Sequence, residues 1–248
     1  MNYSIIYFSG TGNTEWVSEN LQKIIISKGF PCTLDSLTEY ESAVESAMNA
    51  DMIVLAMPIY AADIPRIMRS FIKNLSDMLC EACSAKRDVI FVNTFGYVNG
   101  AGLIRARQIM KDTCLSIKGY INIRMTNTAP SPKPLKYGSS MDITDKTRVL
   151  EKLDKAFCSL IAGRKVINGL GPIMFGGILI RRILLNGIRN NYRNLKVDMS
   201  SCTECMMCVE NCPTESIRHE AGKFIFADTC EACMRCINHC PEKAVSNK

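Results

Sequence analysis

The chain has 248 residues, enough for one large or two smaller domains. It is 47% hydrophobic, sufficient for a core, yet no run reaches the roughly 18–20 apolar residues that span a bilayer. The net charge of +6 is not accompanied by basic–aromatic interleaving, which argues against nucleic-acid binding, and "MNYSIIYF" lacks the basic segment and cleavage site of a signal peptide, so the cytoplasm is the expected compartment.

In chain order, a strand is expected at Tyr3–Phe8, followed by the polar turn "SGTGNT" and a helix at Thr14–Lys28. Further strands are expected at Cys32–Ser36, Met52–Met57, Asp88–Asn93 and Tyr120–Met125, with helices at Tyr40–Asn49, Pro65–Met78, Gly102–Ile117 and Ile143–Ile161. Several strands are near-continuous apolar runs, as in a parallel sheet covered on both faces. The alternation implies an α/β doubly wound sheet. Residues 126–141, with three prolines and no period, form either a lid or a surface excursion.

Residues 155–197 carry eight basic and no acidic groups. Ile180, Leu184, Ile188, Tyr192 and Leu195 recur at helical spacing, with Arg182, Arg189 and Arg193 off the stripe. This amphipathic helix suits packing between domains, docking to an acidic partner or region, or attachment at a membrane surface, of which the first is preferred. Residues 198–248 then reverse the balance, with five basic and eight acidic groups.

Eight of the 13 cysteines fall between Cys202 and Cys240; Cys32, Cys80, Cys83, Cys114 and Cys158 are scattered. Cys80 and Cys83 form a lone Cys-x2-Cys pair, read as structural or incidental rather than as a metal or redox pair. His219 and His239 have ordinary readings. The tail repeats itself: "CTECMMCVENCP" from Cys202 returns as "CEACMRCINHCP" from Cys230, with a hairpin segment between. Three cysteines at successive x2 gaps suit the corners of a cubane better than the paired units of zinc sites.

The opening turn has the setting of an anion site, a strand feeding a loop feeding a helix N-terminus. A Walker A loop is excluded because no lysine precedes Lys23, and a dinucleotide fingerprint because Glu15 stands where a third Gly or Ala is needed. Ser9-x-Thr11-Gly12-x-Thr14 offers hydroxyls instead of charges.

"SGTGNT" after an N-terminal strand resembles the FMN phosphate loop of flavodoxins, and the likeness extends over residues 1–163 in strand–helix order. It implies a flavodoxin-like, five-stranded parallel sheet of order 2-1-3-4-5, with FMN at its carboxyl edge. The phosphate would sit on Ser9, Gly10, Thr11, Gly12, Asn13 and Thr14. The ring would lie between Pro58, Ile59, Tyr60 and Ala61 on one side and Thr94, Phe95, Gly96 and Tyr97 on the other; either Tyr60 or Tyr97 could stack on it.

Both cysteine runs, each closed by Pro213 or Pro241, match the bacterial ferredoxin pattern, whose fourth cysteine crosses to the other cluster. The resemblance implies two [4Fe–4S] clusters, one on Cys202, Cys205, Cys208 and Cys240, the other on Cys230, Cys233, Cys236 and Cys212. The whole chain resembles flavodoxin–ferredoxin fusion proteins of anaerobic prokaryotes. The expected parts are a flavodoxin-like FMN domain (1–163), a basic helical connector (164–197) and a small α+β ferredoxin domain (198–248). The expected function is electron transfer between clusters and flavin with a soluble low-potential redox protein, coupling one- and two-electron steps. Two other readings stand beside it: a flavin-dependent reductase of a small oxidised acceptor such as a quinone or enone, and a redox sensor without turnover. No catalytic acid–base constellation is visible; Tyr60, Tyr97, Tyr137 or water could supply protons to a reductase.

Overall fold

The computed structural model describes residues 1–60, 63–82, 86–96, 102–126, 143–168 and 192–247. The first part runs β1 (Tyr3–Tyr7), α1 (Asn13–Ser27), β2 (Cys32–Ser36), α2 (Tyr40–Asn49), β3 (Met52–Pro58), α3 (Arg66–Ala82), β4 (Arg87–Phe95), α4 (Gly102–Ile109), β5 (Leu115–Arg124), α5 (Ile143–Ile161) and β6 (Val166–Ile167). The strands form one parallel sheet of order β2-β1-β3-β4-β5-β6.

Neighbouring residues on each inner strand serve different cores, because side chains alternate between faces. Ile6, Leu55 and Phe91 face α2, α3 and α4, where Ala43, Ala47, Phe71, Leu75 and Ala106 meet them. Ile5, Val54 and Ile90 face α1 and α5, where Val17, Leu21, Leu153 and Phe157 pack. Double-sided burial is the reason the strands read as apolar runs. Tyr3, Phe30 and Phe157 close the end of the second core edge to face, with centroids 5.4–6.1 Å apart.

Two expectations are corrected. The sheet has a sixth strand, β6, beyond the five expected: Gly163 (φ 76°) turns the chain after α5, and Val166 and Ile167 pair with Gly119 and Tyr120. It is only two residues long, too short for a period to register. The fourth helix ends at Ile109 rather than Ile117, and β5 begins at Leu115 rather than Tyr120. Thr113 caps the turn by donating to the Met110 carbonyl, and Leu115–Ile117 gain pairing along Arg87–Val89. Strand pairing and burial of Leu115 outweigh the helical spacing there.

The C-terminal part contains a 3-10 turn at Tyr192–Asn194, β7 (Leu195–Val197), α6 (Met207–Glu210), β8 (Ile217–Glu220), β9 (Lys223–Phe226), α7 (Arg235–Asn238) and β10 (Val245–Asn247). β7 pairs antiparallel with β10, so pairing with the tail reaches back before residue 198. β8 and β9 form the expected hairpin, turned by Ala221 and Gly222 at positive φ. Of the expected connector helix, Ile180, Leu184 and Ile188 lie outside the described residues, while Tyr192 lies in the 3-10 turn and Leu195 in β7, where pairing with β10 replaces the helix. Among the described residues no helix is long and apolar enough to cross a membrane.

Candidate functional site

The loop between β1 and α1 is built to present main-chain donors. Ser9 is buried, and its hydroxyl accepts a hydrogen bond from the Gly12 N–H at 3.1 Å. Gly12 sits at φ 90° with open space around its missing Cβ, so conformation rather than crowding requires glycine there. It opens α1 without a side-chain cap. The first intrahelical bond runs from the Trp16 N–H to the Gly12 carbonyl, so the N–H groups of Asn13, Thr14 and Glu15 have no intrahelical partner. Those donors and the helix dipole suit a phosphate monoester without a lysine. Thr14, 1% exposed, shares a 2.8 Å hydrogen bond with the Thr94 hydroxyl, fixing the loop to the end of β4. Asn13 donates its side-chain amide to the Thr126 carbonyl at 2.8 Å.

The expected ring-flanking loops meet at the same sheet edge. Pro58 and Thr94 are register partners, and the Ile59 N–H donates to the Thr94 carbonyl at 2.8 Å. Phe95 accepts from the Met125 N–H and Gly96 from Arg124 Nε, which ties both to β5. Ala61 and Tyr97 lie outside the described residues. Tyr60 exchanges two backbone bonds with Asp63, closing a tight turn. Asp63, a residue the sequence reading did not single out, is the peg of that turn. It is 5% exposed and sits between Arg69 at 3.2 Å and Arg105 at 3.1 Å, with the Ile64 N–H on the same carboxylate. Burial, with Arg105 adding to it and Asp63 opposing, lowers the pKa of Arg69.

The eight cysteines ring two separate cavities. One is lined by Cys202, Cys205, Cys208 and Cys240, the other by Cys212, Cys230, Cys233 and Cys236. Each cavity draws its fourth cysteine from the other run, Cys240 in the first and Cys212 in the second. Among the described residues no His, Cys, Asp and Glu side chains close around a single ion. The backbone repeats as faithfully as the cysteines. Seven described non-glycine residues have positive φ, all in this part of the chain. Six are pairs 28 residues apart: Glu204 and Ala232, Met206 and Met234, Glu215 and Lys243. The left-handed turns aim N–H groups at sulfur. Glu204 and Ala232 donate to Cys202 and Cys230, and Ser216 and Ala244 to Cys212 and Cys240, all at 3.2–3.4 Å. Strained turns held twice over, with donors on thiol sulfur, fit an iron–sulfur cluster, whose sulfurs accept such bonds. Burial raises the thiol of Cys233 to about 11 and that of Cys236 to about 12, so ligation there must expel protons.

Two of the scattered cysteines pair in a way the sequence did not signal. Cys80 forms a disulfide with Cys114, 34 residues away, and Cys83 lies outside the described residues.

Residues 4–94 match the flavodoxin domain family, and residues 195–218 match the 4Fe–4S binding domain family. The chain joins a flavodoxin-like domain to a 4Fe–4S binding domain. The two together support a flavin and iron–sulfur redox protein. Among solved structures, two-electron reduced flavodoxin from Megasphaera elsdenii is 20% identical, with 62% of this chain and 99% of that one covered and a TM-score of 0.43. The Trp repressor binding protein from Bacillus subtilis is 21% identical, with 62% and 96% covered and a TM-score of 0.44. A flavodoxin from the domain Archaea is 17% identical, with 62% and 95% covered and a TM-score of 0.42. Comparison with curated proteins finds no match.

The 4Fe–4S domain packs directly on the flavodoxin-like domain. A Cβ at Gly10 would stand 2.5 Å from the Cys233 carbonyl oxygen, 2.6 Å from the Tyr60 hydroxyl and 2.9 Å from Cys233 Cβ. Gly10 is thus a glycine that the neighbouring domain requires. Arg235 donates to the Ser9 carbonyl at 2.7 Å and to the Gly10 carbonyl at 3.2 Å. On the α3 side, Arg66 donates to the Asp228 and Cys230 carbonyls at 3.0 and 2.9 Å. Glu231 accepts the Ile67 N–H at 3.0 Å, placing a carboxylate from one domain at a helix N-terminus of the other. Burial raises the pKa of Glu231, while the Ile67 N–H and Arg66 counter it. Burial likewise raises the Tyr60 phenol, reinforced by Cys233 and Glu231 and opposed by Arg235.

Proposed function

We propose that this protein carries electrons between two [4Fe–4S] clusters and one FMN, with a soluble low-potential redox protein as its partner. The observation that carries the reading is the seating of Cys233, from one cysteine ring, against Gly10 of the phosphate loop and Tyr60 of the ring-flanking loop. Bound clusters supply one-electron centres, and bound FMN supplies a centre that takes one or two electrons.

The chain's own residues divide the work. Ser9 to Thr14 hold the phosphate by main-chain N–H groups and hydroxyls. Pro58, Ile59 and Tyr60, with Thr94, Phe95 and Gly96, would flank the ring, and Ala61 and Tyr97 are the further candidates of the same reading. Cys212, Cys230, Cys233 and Cys236 would hold one cluster, in the cavity whose Cys233 packs against Gly10. Cys202, Cys205, Cys208 and Cys240 hold the other. Cys205 is the exposed member of that second ring, which supports entry or exit of electrons at its side.

The test is an anaerobic preparation with flavin, iron and sulfide counted per chain, followed by a reduced ferredoxin-level donor. The expected result is one FMN and about eight irons, with both chromophores bleaching together. Iron without flavin, or a flavin that stays oxidised while the clusters bleach, would overturn the reading.

A further inference from the structure

We infer that Arg235 is a positioning residue of the flavin site, so that the 4Fe–4S domain completes the phosphate loop; this rests on the function proposed above. Arg235 lies in α7 between two ring members, Cys233 and Cys236. Its guanidinium leaves its own domain. It takes the Ser9 carbonyl at 2.7 Å and the Gly10 carbonyl at 3.2 Å, and it reaches back to the Asn211 carbonyl at 3.3 Å.

The two loop carbonyls are the back of the phosphate loop. A trans peptide is planar, and its C=O and N–H point in opposite directions. Holding the Ser9 carbonyl toward Arg235 therefore directs the Gly10 N–H away from it, and holding the Gly10 carbonyl does the same for the Thr11 N–H. One guanidinium sets the direction of two consecutive donors in the loop. A rigid fork does this where a flexible ammonium does not. The flavodoxin-like domain alone has a loop of the right composition; the orientation of its first two peptides comes from the other domain.

A second arginine at the same interface serves as the internal control. Arg66 also crosses between the domains, to the Asp228 and Cys230 carbonyls and to the Glu231 carboxylate, and these hydrogen bonds and this ion pair involve no residue of the loop. Loss of Arg66 loosens docking without releasing the Ser9 and Gly10 peptides.

The experiment uses the full-length, iron-loaded protein with FMN removed anaerobically. FMN is titrated back by the quenching of its fluorescence, and iron is counted on each variant. Arg235→Gln should raise the FMN Kd by about tenfold or more, the scale of charge-assisted hydrogen bonds, with iron unchanged. Arg235→Lys, which keeps the charge, should also weaken binding several-fold, and Arg66→Gln should stay within about twofold of wild type. Should Arg235→Gln assemble poorly, the comparison of Arg235→Lys with Arg66→Gln decides alone. Three results would overturn the inference while leaving the proposed function intact: an unchanged Kd in the Arg235 variants, a loss in Arg66→Gln equal to theirs, or Arg235→Lys indistinguishable from wild type, which would make charge alone the cause. A wild-type chain that takes up no FMN would overturn both.

Discussion

At the scale of single residues, the Ser9–Thr14 loop is held from two sides, by the Thr14–Thr94 hydroxyl pair at 2.8 Å and by Arg235 on the Ser9 and Gly10 carbonyls. Ser9, Thr11, Gly12 and Thr14 fall within six residues, and a hydroxyl-rich turn between strand and helix suits an anion. Removing both threonine hydroxyls, in Thr11→Ala with Thr14→Ala, should lower FMN occupancy while iron stays near its normal content. Flavin and iron counts on one preparation check this, and equal loss of both would deny that the sites are separable. Asp63 was invisible because its partners, Arg69 and Arg105, lie 6 and 42 positions away. Gly10 read as part of a phosphate turn, yet its lack of a side chain answers to Cys233, more than two hundred residues later. Asp63→Asn keeps the shape but leaves two partly buried guanidinium groups without their carboxylate. It should destabilise the flavodoxin-like domain by about 2 kcal/mol, read from the urea midpoint of the FMN-loaded protein. No change in that midpoint would remove Asp63 as the peg of the Tyr60 turn.

Among the elements, β1 to β5 and the helices between them were readable because the strands are short apolar runs and the helices between them carry a helical period. The ends that moved are those where pairing, not period, decides, as at Leu115 and at β6. The cysteine repeat has a 28-residue spacing, and the paired left-handed turns follow that spacing although the sequence alone does not display them. The crossing of Cys212 and Cys240 makes an asymmetric prediction. On the proposed reading, Cys212→Ser should impair the ring whose Cys233 packs against Gly10, and so stop flavin reduction by the donor. Cys240→Ser should impair the outer ring and leave the inner one. Electron paramagnetic resonance of each reduced variant, with flavin bleaching followed in parallel, tests this; loss of the same signal in both would refute the crossing. The Cys80–Cys114 disulfide links the end of α3 to the approach to β5 and closes a loop of 34 residues. Replacing both by serine should cost about 3–4 kcal/mol by chain entropy, seen as a lower urea midpoint under oxidising but not reducing conditions.

At the scale of the whole molecule, the two domains differ in what holds them. The flavodoxin-like domain has two core layers, one on each face of its sheet. The 4Fe–4S domain buries few apolar side chains, among them Leu195, Ile217, Met234 and Val245, so metal must supply much of its folding free energy. Its Arg235 and Glu231 nevertheless reach into the other domain, and that difference in stability is therefore passed on. Chelating the iron should unfold the smaller domain, withdraw all three bonds of Arg235, and free the Ser9 and Gly10 peptides. The chelated chain should keep the circular dichroism of its α/β sheet while its FMN Kd rises at least as far as in Arg235→Gln. Linkage then runs in both directions: bound FMN must favour the iron-loaded state by the same factor. Fluorescence titration of the chelated protein, with the dichroism recorded on the same sample, measures the coupling. An unchanged Kd with the sheet intact would mean that the two domains share a surface but not a site.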